Sequence, residues 1–470
     1  MNPFGSTETI VVDGMSIRLP NLLGNPNDLS PTSIFEKPSW MPDSEAVLCL
    51  GCGSKFTQLR RKHHCRNCGK IFCSKCCVEK IPLPHFGTEE PDKVCNNCKL
   101  IVELMIKAKS QDPLLKYEAV LGFASLLTNV AGMSKVIECG GIHIMLSVAM
   151  NGDAKLKSAV ASALHSVIQS MTLNHFLVEA GCLKVLKHFL STSESNELLS
   201  DSLSSLNLLC MDAAIRIQVL KEGLVDSLLT TIRSASGITS VFASRILQLL
   251  VCNFEHHEFI LQNHRRVIPG LFEALQTEDY QMQGCVSKML MYFSANSSTF
   301  REMIIYEDMD RDYPLLFLLK GTCQSVLVNV TCIVANLSLS IEEAYTSHYI
   351  SGLCELLTFV NKENSELLTQ LGRGLANFAE NASNTLHMIH HLPNIVSNLL
   401  KSCFEAPRVH ACRLLVSLFS SELPTALDVL SQSGLDEFIE TIFDLPGITD
   451  VLNNALLRKV SRLSVCKQQV

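Results

Sequence analysis

The chain has 470 residues, a net charge of −7 and 20 cysteines. Its length allows two to four domains, and its acidic balance argues against a general nucleic-acid-binding protein, which would usually be basic. Any positively charged site must therefore be local. The N-terminus shows no basic segment followed by an apolar core, so no signal peptide is predicted, and eleven cysteines spread singly through apolar stretches predict reduced thiols in the cytosol.

The first segment, residues 1 to 38, is rich in Pro, Asn, Ser and Gly and lacks a sustained apolar period. This composition predicts a disordered N-terminal tail. The tripeptide Asn2-Pro3-Phe4 resembles the ligand of EH domains, which are endocytic modules that bind such turns. A three-residue match also arises by chance, so its use as a ligand stays open.

The next segment, residues 39 to 100, contains eight cysteines in four Cys-x-x-Cys pairs. The pairs are Cys49/Cys52, Cys65/Cys68, Cys73/Cys76 and Cys95/Cys98. Four thiolates around one ion fit structural zinc and leave no ligand position for a catalytic water, so eight predict two structural zinc ions. The alternation of the pairs predicts that the first and third hold one ion and the second and fourth hold the other. A segment this short buries too small a core to fold without metal.

Three further motifs surround these cysteines. They are Trp40-Met41-Pro42-Asp43, Arg61-Lys62-His63-His64-Cys65-Arg66 and Lys93-Val94-Cys95. Together with the cysteines they resemble FYVE zinc fingers, a family that carries a WxxD, an RRHHCR-type run and an RVC at these places. The third motif departs from the family pattern, because Lys93 stands where the family has arginine.

The resemblance implies that the finger binds phosphatidylinositol 3-phosphate on endosomal membranes. In the family, basic side chains contact the phosphates, histidines bond phosphate and inositol hydroxyls, the aspartate accepts from the far hydroxyls, and the tryptophan walls the pocket. The residues implied here are Trp40, Asp43, Arg61, Lys62, His63, His64, Arg66 and Lys93. Lysine keeps the charge of arginine but loses its planar fork of donors, so Lys93 predicts weaker binding rather than its loss.

The family also inserts a loop beside the basic run into the bilayer. The corresponding residues here are Gln58, Leu59 and Arg60, of which only Leu59 is apolar. Burying one leucine contributes about 1.5–3 kcal/mol, and each cation near an anionic membrane surface contributes about 1 kcal/mol. This predicts weak anchoring, which a second contact or a dimer would reinforce.

The remainder of the chain is Leu-rich and helical in character. After a helical linker over residues 101 to 113, the sequence aligns with itself near every 42 residues from 114 to 447, in roughly eight units. Glycines separate helices within the units: Gly141, Gly181, Gly223, Gly352 and Gly434. This pattern resembles armadillo repeats, which implies a solenoid with a long concave groove for a protein partner. Residues 448 to 470 are predicted to form a capping helix.

Two details of the repeats bear on function. The uncharged stretch from 321 to 341 has membrane-spanning length, but its polar residues favour a buried helix, so no transmembrane segment is predicted. In armadillo proteins, an asparagine on the third helix of a repeat often holds the backbone of an extended peptide. Asn207, Asn336 and Asn377 fall at similar repeat positions. Either they line a peptide groove or they bridge neighbouring helices internally.

The predicted fold class is a small zinc-stabilised α+β finger followed by an all-α armadillo-like solenoid. The sequence contains no phosphate-binding loop, serine-nucleophile motif or zinc-protease motif, so a non-enzymatic protein is predicted. We expect a cytoplasmic adaptor, peripheral on early endosome membranes, that binds phosphatidylinositol 3-phosphate through its finger and an unidentified protein through its solenoid. The alternatives are a RING-like ubiquitin ligase, because RING fingers share the cross-brace, and a solenoid scaffold whose finger binds lipid weakly.

Overall fold

The computed structural model of the chain describes residues 9–24, 29–30, 32–192, 195–234, 237–341 and 343–434. The chain divides into two compact units, one ending at Leu249 and the other beginning at Leu250. The tripeptide Asn2-Pro3-Phe4 and the predicted capping helix over 448–470 lie outside the described residues.

Strands occur only before residue 95 among the described residues, in four antiparallel pairs formed by neighbouring strands. The strands are β1 Thr9–Val12, β2 Met15–Arg18, β3 Leu22–Leu23, β4 Ile34–Phe35, β5 His63–His64, β6 Ile71–Phe72, β7 Glu79–Leu83 and β8 Thr88–Val94. The last two pairs, β5–β6 and β7–β8, belong to the cysteine-rich finger.

Helices are the regular secondary structure of the described residues after the finger in both units. The first unit contains α1 Asn96–Lys109, α2 Pro113–Leu126, α3 Val130–Glu138, α4 Gly141–Met150, α5 Ala154–Gln169, α6 Asn174–Glu179, α7 Cys182–Thr192, α8 Asn196–Leu209, α9 Ala213–Lys221 and α10 Leu224–Ser234. The helix α11 Ile238–Val251 spans the boundary. The second unit contains α12 His257–Asn263, α13 Val267–Leu275, α14 Tyr280–Asn296, α15 Ser298–Asp310, α16 Pro314–Leu318, α17 Gln324–Leu337, α18 Glu343–Phe359, α19 Ser365–Phe378, α20 Thr385–Ile389, α21 Leu392–Asn394 and α22 Glu405–Gln432.

The long helices that open successive repeats begin at short polar side chains. Asp112, Asp153 and Ser195 cap α2, α5 and α8, each accepting a hydrogen bond from a backbone N–H in the first turn. Such caps satisfy donors that have no partner within the helix. The three helices then pack side by side in chain order, as α14, α17, α19 and α22 do in the second unit. This stacking of equivalent helices confirms the predicted solenoid.

The N-terminal segment differs from the predicted tail. Its described residues form the β1–β2 and β3–β4 pairs, and Val12, Ile17 and Phe35 are at most 2% exposed. The β2 strand packs against α3, so these short strands bury their apolar side chains on the first repeat. An isolated hairpin is marginal in water. Composition carries no sign of this order, because the order depends on a surface contributed more than 100 residues later in the chain.

The predicted helical linker over 101–113 is helical as far as Lys109, but its helix begins earlier than predicted. Helix α1 begins at Asn96, within the finger, and its inner residues Val102 and Met105 are fully buried. It packs against β7 on one side and against α2 and α4 on the other. A continuous helix with buried contacts at both ends joins the finger to the repeats as one structural unit.

Glycine turns between helices are confirmed at two of the predicted positions within the first unit. Gly181 and Gly223 have φ values of 96° and 77°, which favour glycine because side chains with a Cβ are strained there. Gly352 does not form a turn: it lies inside α18, where the Leu316 side chain of the preceding repeat occupies the space a Cβ would need.

The asparagines of the second unit bridge neighbouring repeats. The Asn336 amide donates to the Ser294 hydroxyl over 2.9 Å and accepts from the Arg373 guanidinium over 2.9 Å. Asn377 donates to the Ala335 carbonyl over 3.2 Å, in the same direction along the array. Of the two options left open by the sequence, these contacts support internal bridging. Asn207 is half-buried in α8.

A buried carboxylate stabilises the turn between α15 and α16. Asp308 is fully buried and accepts hydrogen bonds from the Tyr349 hydroxyl over 2.7 Å and the Leu315 N–H over 2.8 Å. The adjoining residues Asp312 and Tyr313 both have φ near 60°, which is strained for residues other than glycine. Burial raises the pKa of Asp308 to about 6 despite these two donors.

We predict that Asp308→Asn removes a pH-dependent loss of stability. Because the folded pKa of about 6 lies above the ordinary 3.8, the carboxyl stabilises the fold fully below pH 3.8 and this contribution is lost as pH rises through 6. A shift of this size corresponds to about 3 kcal/mol. Urea unfolding of both proteins at several pH values should show the wild type losing stability relative to Asp308→Asn between about pH 4 and 7. Parallel curves would contradict the prediction.

Among the described residues, no single helix is both long and apolar enough to cross a membrane. Two bent pairs pass on length and composition alone, α3 with α4 and the two parts of α22 on either side of its kink. The helix α17, which contains most of the uncharged stretch, is largely buried between α14 and α19.

Candidate functional site: the zinc finger and its basic strand

The eight paired cysteines form two four-sulfur clusters. Their members are Cys49, Cys52, Cys73 and Cys76 in one cluster and Cys65, Cys68, Cys95 and Cys98 in the other. Within each cluster all four Sγ atoms lie within 4.8 Å of one another. The predicted cross-brace and the two structural zinc sites are confirmed.

The sulfur spacing matches tetrahedral zinc. Four sulfurs at about 2.3 Å from an ion lie about 3.8 Å apart, and Cys52 Sγ lies 3.8 Å from Cys73 Sγ. Backbone N–H groups from the partner pair stabilise the negative sulfurs, as the Cys73 N–H donates to Cys49 Sγ over 3.2 Å. The N–H of Cys95 donates to Cys65 Sγ over 3.2 Å in the same way. Four thiolates this close repel one another, so a bound dication is needed to hold them together.

The predicted basic run lies on strand β5 and beside it. His63 and His64 pair with Phe72 and Ile71 of β6. The short hairpin fixes the run directly before the ligand Cys65. Because the basic run leads directly into a zinc ligand, the metal cluster helps to fix its position. Neither histidine belongs to a cluster among the described residues.

An aromatic and cationic stack lies at one side of β5. Trp40 stacks on His64 with ring centroids 4.6 Å apart, and the Arg66 guanidinium carbon lies 4.4 Å from the Trp40 ring centroid. Arg66 also donates to the His64 carbonyl over 2.9 Å. Trp40 is the chain's single tryptophan and is half exposed. Its ring thus forms a wall against which the Arg66 fork is held by a cation–π contact.

Asp43 also contacts the basic run, at Lys62 and His64. The Lys62 ammonium donates to the Asp43 carbonyl over 2.5 Å. The Asp43 carboxylate lies 3.7 Å from His64 Nε2, which bonds the Met41 carbonyl over 2.8 Å. The WxxD motif and the basic run, which are well separated in sequence, therefore contact each other in the structure.

His63 lies among cations. Lys93 Nζ is 3.4 Å from His63 Nδ1, and Arg61 and Arg66 are near enough to act on the imidazole. Burial, followed by the charges of Lys93, Arg61 and Arg66, lowers the pKa of His63. Strand β8 places Lys93 here, because the Arg66 N–H donates to the Lys93 carbonyl over 2.8 Å. The site therefore concentrates positive charge around one half-buried ring.

The structure adds an acidic residue that sequence reasoning missed. The Asp92 carboxylate lies 3.9 Å from Arg66 Nε. It would compete with an anionic ligand for this guanidinium. No sequence signal marked it, since Asp92 belongs to none of the three motifs and reaches Arg66 only through the β8 strand.

The predicted membrane loop forms a tight turn. Thr57 and Arg60 exchange backbone hydrogen bonds of 3.2 and 3.1 Å, which places Gln58 and Leu59 at its tip. Leu59 is 99% exposed. A fully exposed leucine beside a cluster of cations is an arrangement suited to an anionic, apolar surface.

Comparisons with known proteins concern mainly this finger. Residues 39–103 match the FYVE zinc finger family. A Brugia malayi protein described as a lateral signaling target protein 2 homolog is 40% identical over 93 residues, covering 20% of this chain and 15% of that protein. A putative 1-phosphatidylinositol 3-phosphate 5-kinase of Drosophila melanogaster is 49% identical over 73 residues, covering 16% and 4%. The chain thus spans a small part of the length of either relative.

The helical remainder was also compared with proteins of known structure. An engineered protein solved by the Northeast Structural Genomics Consortium aligns over 76% of this chain and 87% of its own, with a TM-score of 0.53 and 18% identity. A designed armadillo repeat protein aligns over 50% of this chain and 99% of its own, with a TM-score of 0.43 and 17% identity. The chain joins a FYVE zinc finger with two four-cysteine zinc sites to an all-helical armadillo-like repeat array.

Proposed function

We propose that this chain is a non-enzymatic adaptor in membrane trafficking. Its finger binds phosphatidylinositol 3-phosphate on early endosome membranes from the cytoplasmic side, and its helical array binds a protein partner. The main support for the lipid site is the cluster of cations around His63: Lys93 Nζ lies 3.4 Å from His63 Nδ1, and Arg61 and Arg66 are near enough to act on the ring. A phosphomonoester carries nearly two negative charges and several strong acceptors, so it would relieve this repulsion.

The groups around His64 suit an inositol phosphate of limited size. Arg66, held against Trp40, offers a fork of donors to phosphate oxygens. The Asp43 carboxylate, 3.7 Å from His64 Nε2, would accept from ring hydroxyls and repel any further phosphate. In support of this ligand class, the Drosophila relative that shares the finger is named as a kinase of phosphatidylinositol 3-phosphate.

We propose that the protein contacts the membrane through the tip of the turn between Thr57 and Arg60. Insertion of Leu59 contributes about 1.5–3 kcal/mol, and the neighbouring Arg60 and Arg61 are exposed and add electrostatic attraction. A single leucine makes the anchor weak, so a second membrane contact or a dimer stays a prediction.

The lipid-binding function is better supported than a RING-like ubiquitin ligase. Both metal clusters that the structure describes consist of cysteine alone. His64 instead stacks on Trp40, and His63 faces Lys93. The histidines therefore contribute to the cationic site, where an anion rather than a protein groove is favoured.

The protein partner is proposed to bind the first repeats. Asn336 and Asn377 already bond neighbouring repeats, which leaves little of their amide capacity for a peptide. In contrast, a wide cleft between α2 and α5 is lined by apolar side chains together with several serines and threonines, and Tyr117 and Lys155 are in cation–π contact across it at 4.2 Å. Apolar side chains with hydroxyls between them suit a peptide segment, which offers both apolar groups and hydrogen-bond partners.

We predict that Lys93→Arg raises the affinity for vesicles containing phosphatidylinositol 3-phosphate several-fold. Arginine keeps the charge of Lys93 near His63 and adds a planar fork of donors for phosphate oxygens. Vesicle sedimentation of the full chain measures the change, with Lys99→Arg, a half-exposed lysine paired with Glu79, as the control. Equal affinity of Lys93→Arg and the wild type would show that Lys93 does not reach the phosphate.

Localisation of the full chain in cells tests the proposal as a whole. The wild type should form puncta that coincide with an endosomal marker, and the double variant Arg61→Ala, Arg66→Ala should become diffuse. The double variant Arg265→Ala, Arg266→Ala removes two exposed charges from the second unit and should leave the puncta unchanged. Puncta that persist in the finger variant would show that the repeats, rather than the lipid, direct the protein.

A further inference from the structure

The turn between the second pair of zinc ligands is bonded to the first repeat. Asn67 lies between the ligands Cys65 and Cys68 and is only 2% exposed. Its Nδ2 donates to Cys139 Sγ over 3.2 Å, and its Oδ1 accepts from His85 Nε2 over 2.7 Å. Cys139 ends helix α3 of the repeat array, 72 residues away in sequence. One amide thus joins the zinc-binding turn, the β7–β8 hairpin and the first repeat.

All three groups are neutral and deeply buried. His85 is fully buried and Cys139 is 4% exposed. Burial raises the pKa of the Cys139 thiol to about 12, and burial followed by the nearby Lys109 lowers the pKa of His85 to about 3. A buried amide that loses its partner keeps its desolvation cost, so this small network specifies one arrangement of the turn.

The surrounding contacts make the same junction tight. The Phe35 ring occupies the space that a side chain at Gly140, next to Cys139, would fill, and it packs edge-on against His143 at 5.7 Å. The Lys109 ammonium donates to the carbonyls of Ser33 and Pro84 over 2.7 and 3.1 Å. The finger, the N-terminal strands and the first repeat therefore share one packed core.

The bonded turn also carries the cationic site. Gly69, which closes the turn, accepts a hydrogen bond from the Met41 N–H over 3.0 Å and so fixes the segment that bears Trp40. Arg66, which precedes Asn67, donates its N–H to the Lys93 carbonyl over 2.8 Å. Any displacement of Asn67 is therefore transmitted to Trp40, Arg66 and Lys93 together.

We propose that Cys139 and His85, acting through Asn67, are positioning residues for the lipid site, so that the first armadillo-like repeat is part of the lipid-binding module. This inference rests on the proposed lipid-binding function. Neither Cys139 nor His85 touches the ligand. They hold the turn between Cys65 and Cys68, and the residues beside this turn are the ones proposed to contact the lipid. Groups outside a metal's coordination shell orient its ligands in a similar way.

The test compares Cys139→Val with Cys139→Ser in the full chain. Valine is close in size to cysteine but can neither donate nor accept, whereas serine keeps a hydrogen-bonding group. We expect Cys139→Val to weaken binding to vesicles containing phosphatidylinositol 3-phosphate roughly tenfold, with two zinc ions retained and Trp40 emission changed before lipid is added. Cys139→Ser should bind within about twofold of the wild type.

Cys210→Val is the matched control. Cys210 is a fully buried thiol that ends α8 in the same unit, as Cys139 ends α3. The Cys210→Val protein should lose stability without a change in Trp40 emission or lipid affinity. If Cys139→Val fails to fold, Cys139→Ala is compared with Cys139→Ser in the same way.

The outcomes separate the two proposals. Binding and Trp40 emission of the folded Cys139→Val protein equal to those of the wild type would overturn the positioning role while leaving lipid binding intact. An equal loss in Cys139→Ser and Cys139→Val would overturn it as well, since the hydrogen bond would then be irrelevant. A wild-type chain that fails to bind these vesicles would instead refute the proposed function itself.

Discussion

Removal of zinc is expected to unfold the finger and abolish binding to vesicles that contain phosphatidylinositol 3-phosphate. Each cluster draws four sulfurs within 4.8 Å, an arrangement that only a cation stabilises. The finger's own apolar core is small and is built around Ile71, Phe72 and the buried ligands. Structural zinc contributes about 10–16 kcal/mol in small fingers, which is as large as the whole stability of a typical domain at about 5–15 kcal/mol.

The measurement is a chelator titration followed by three signals. Zinc release should reach two ions per chain, and Trp40 emission should shift as its contacts with His64 and Arg66 are lost. Far-ultraviolet circular dichroism should keep most of its helical signal, because the helices after α1 contain no member of a zinc cluster among their described residues. Complete zinc loss with unchanged Trp40 emission and unchanged lipid affinity would contradict the expected result.

A neighbouring cysteine supplies the control for this prediction. Cys77 follows the ligand Cys76 directly and is buried, but it belongs to neither cluster. Cys76→Ser should lose one zinc ion per chain and most lipid binding, whereas Cys77→Ser should keep both ions. If Cys77→Ser also released zinc, the assignment of the ligands would need to change.

Replacement of Arg66 by alanine should weaken lipid binding about a hundredfold or more. A hydrogen bond to a charged group contributes about 1.5–3 kcal/mol, and Arg66 is placed to make more than one to a phosphate. It also packs on Trp40 and donates to the His64 carbonyl, so its loss loosens the wall of the site. Both effects act on the same ligand and should add to each other in the measured affinity.

Arg60→Ala is the matched comparison, because it removes the same charge from the exposed loop. Its expected effect is about fivefold, the size of one cation near an anionic surface at about 1 kcal/mol. Vesicle sedimentation at fixed ionic strength measures both variants. Equal effects of Arg60→Ala and Arg66→Ala would mean that binding depends on general charge rather than on a phosphate site.

Much of the finger could be predicted because its signals are local. Ligand pairs with two residues between them and a basic run next to Cys65 specify chemistry without knowledge of distant contacts. The WxxD motif was more remote in sequence, yet Trp40 and Asp43 both lie against His64 of the basic run. Lys93 could likewise be placed near the site, because it lies at the end of strand β8, two residues before the ligand Cys95.

The features that sequence reasoning missed depend on contacts between distant parts of the chain. The bond from Asn67 to Cys139 joins residues 72 positions apart, and Cys139 belongs to no motif. The strands before residue 36 are ordered by burial of Ile17 and Phe35 on the first repeat, which composition does not reveal. The predicted turn at Gly352 is wrong because spacing alone does not distinguish a turn from a close helix–helix contact.

The most direct test of lipid recognition is the affinity of the full chain for vesicles that differ only in phosphate position. Vesicles containing phosphatidylinositol 3-phosphate are compared with vesicles containing the same fraction of phosphatidylinositol 4-phosphate, at equal surface charge and ionic strength. The fixed arrangement of Arg66, His63 and Asp43 predicts at least roughly tenfold tighter binding to the 3-phosphate. Equal affinity for both lipids would contradict a position-specific site and reduce the finger to a general anionic-surface contact.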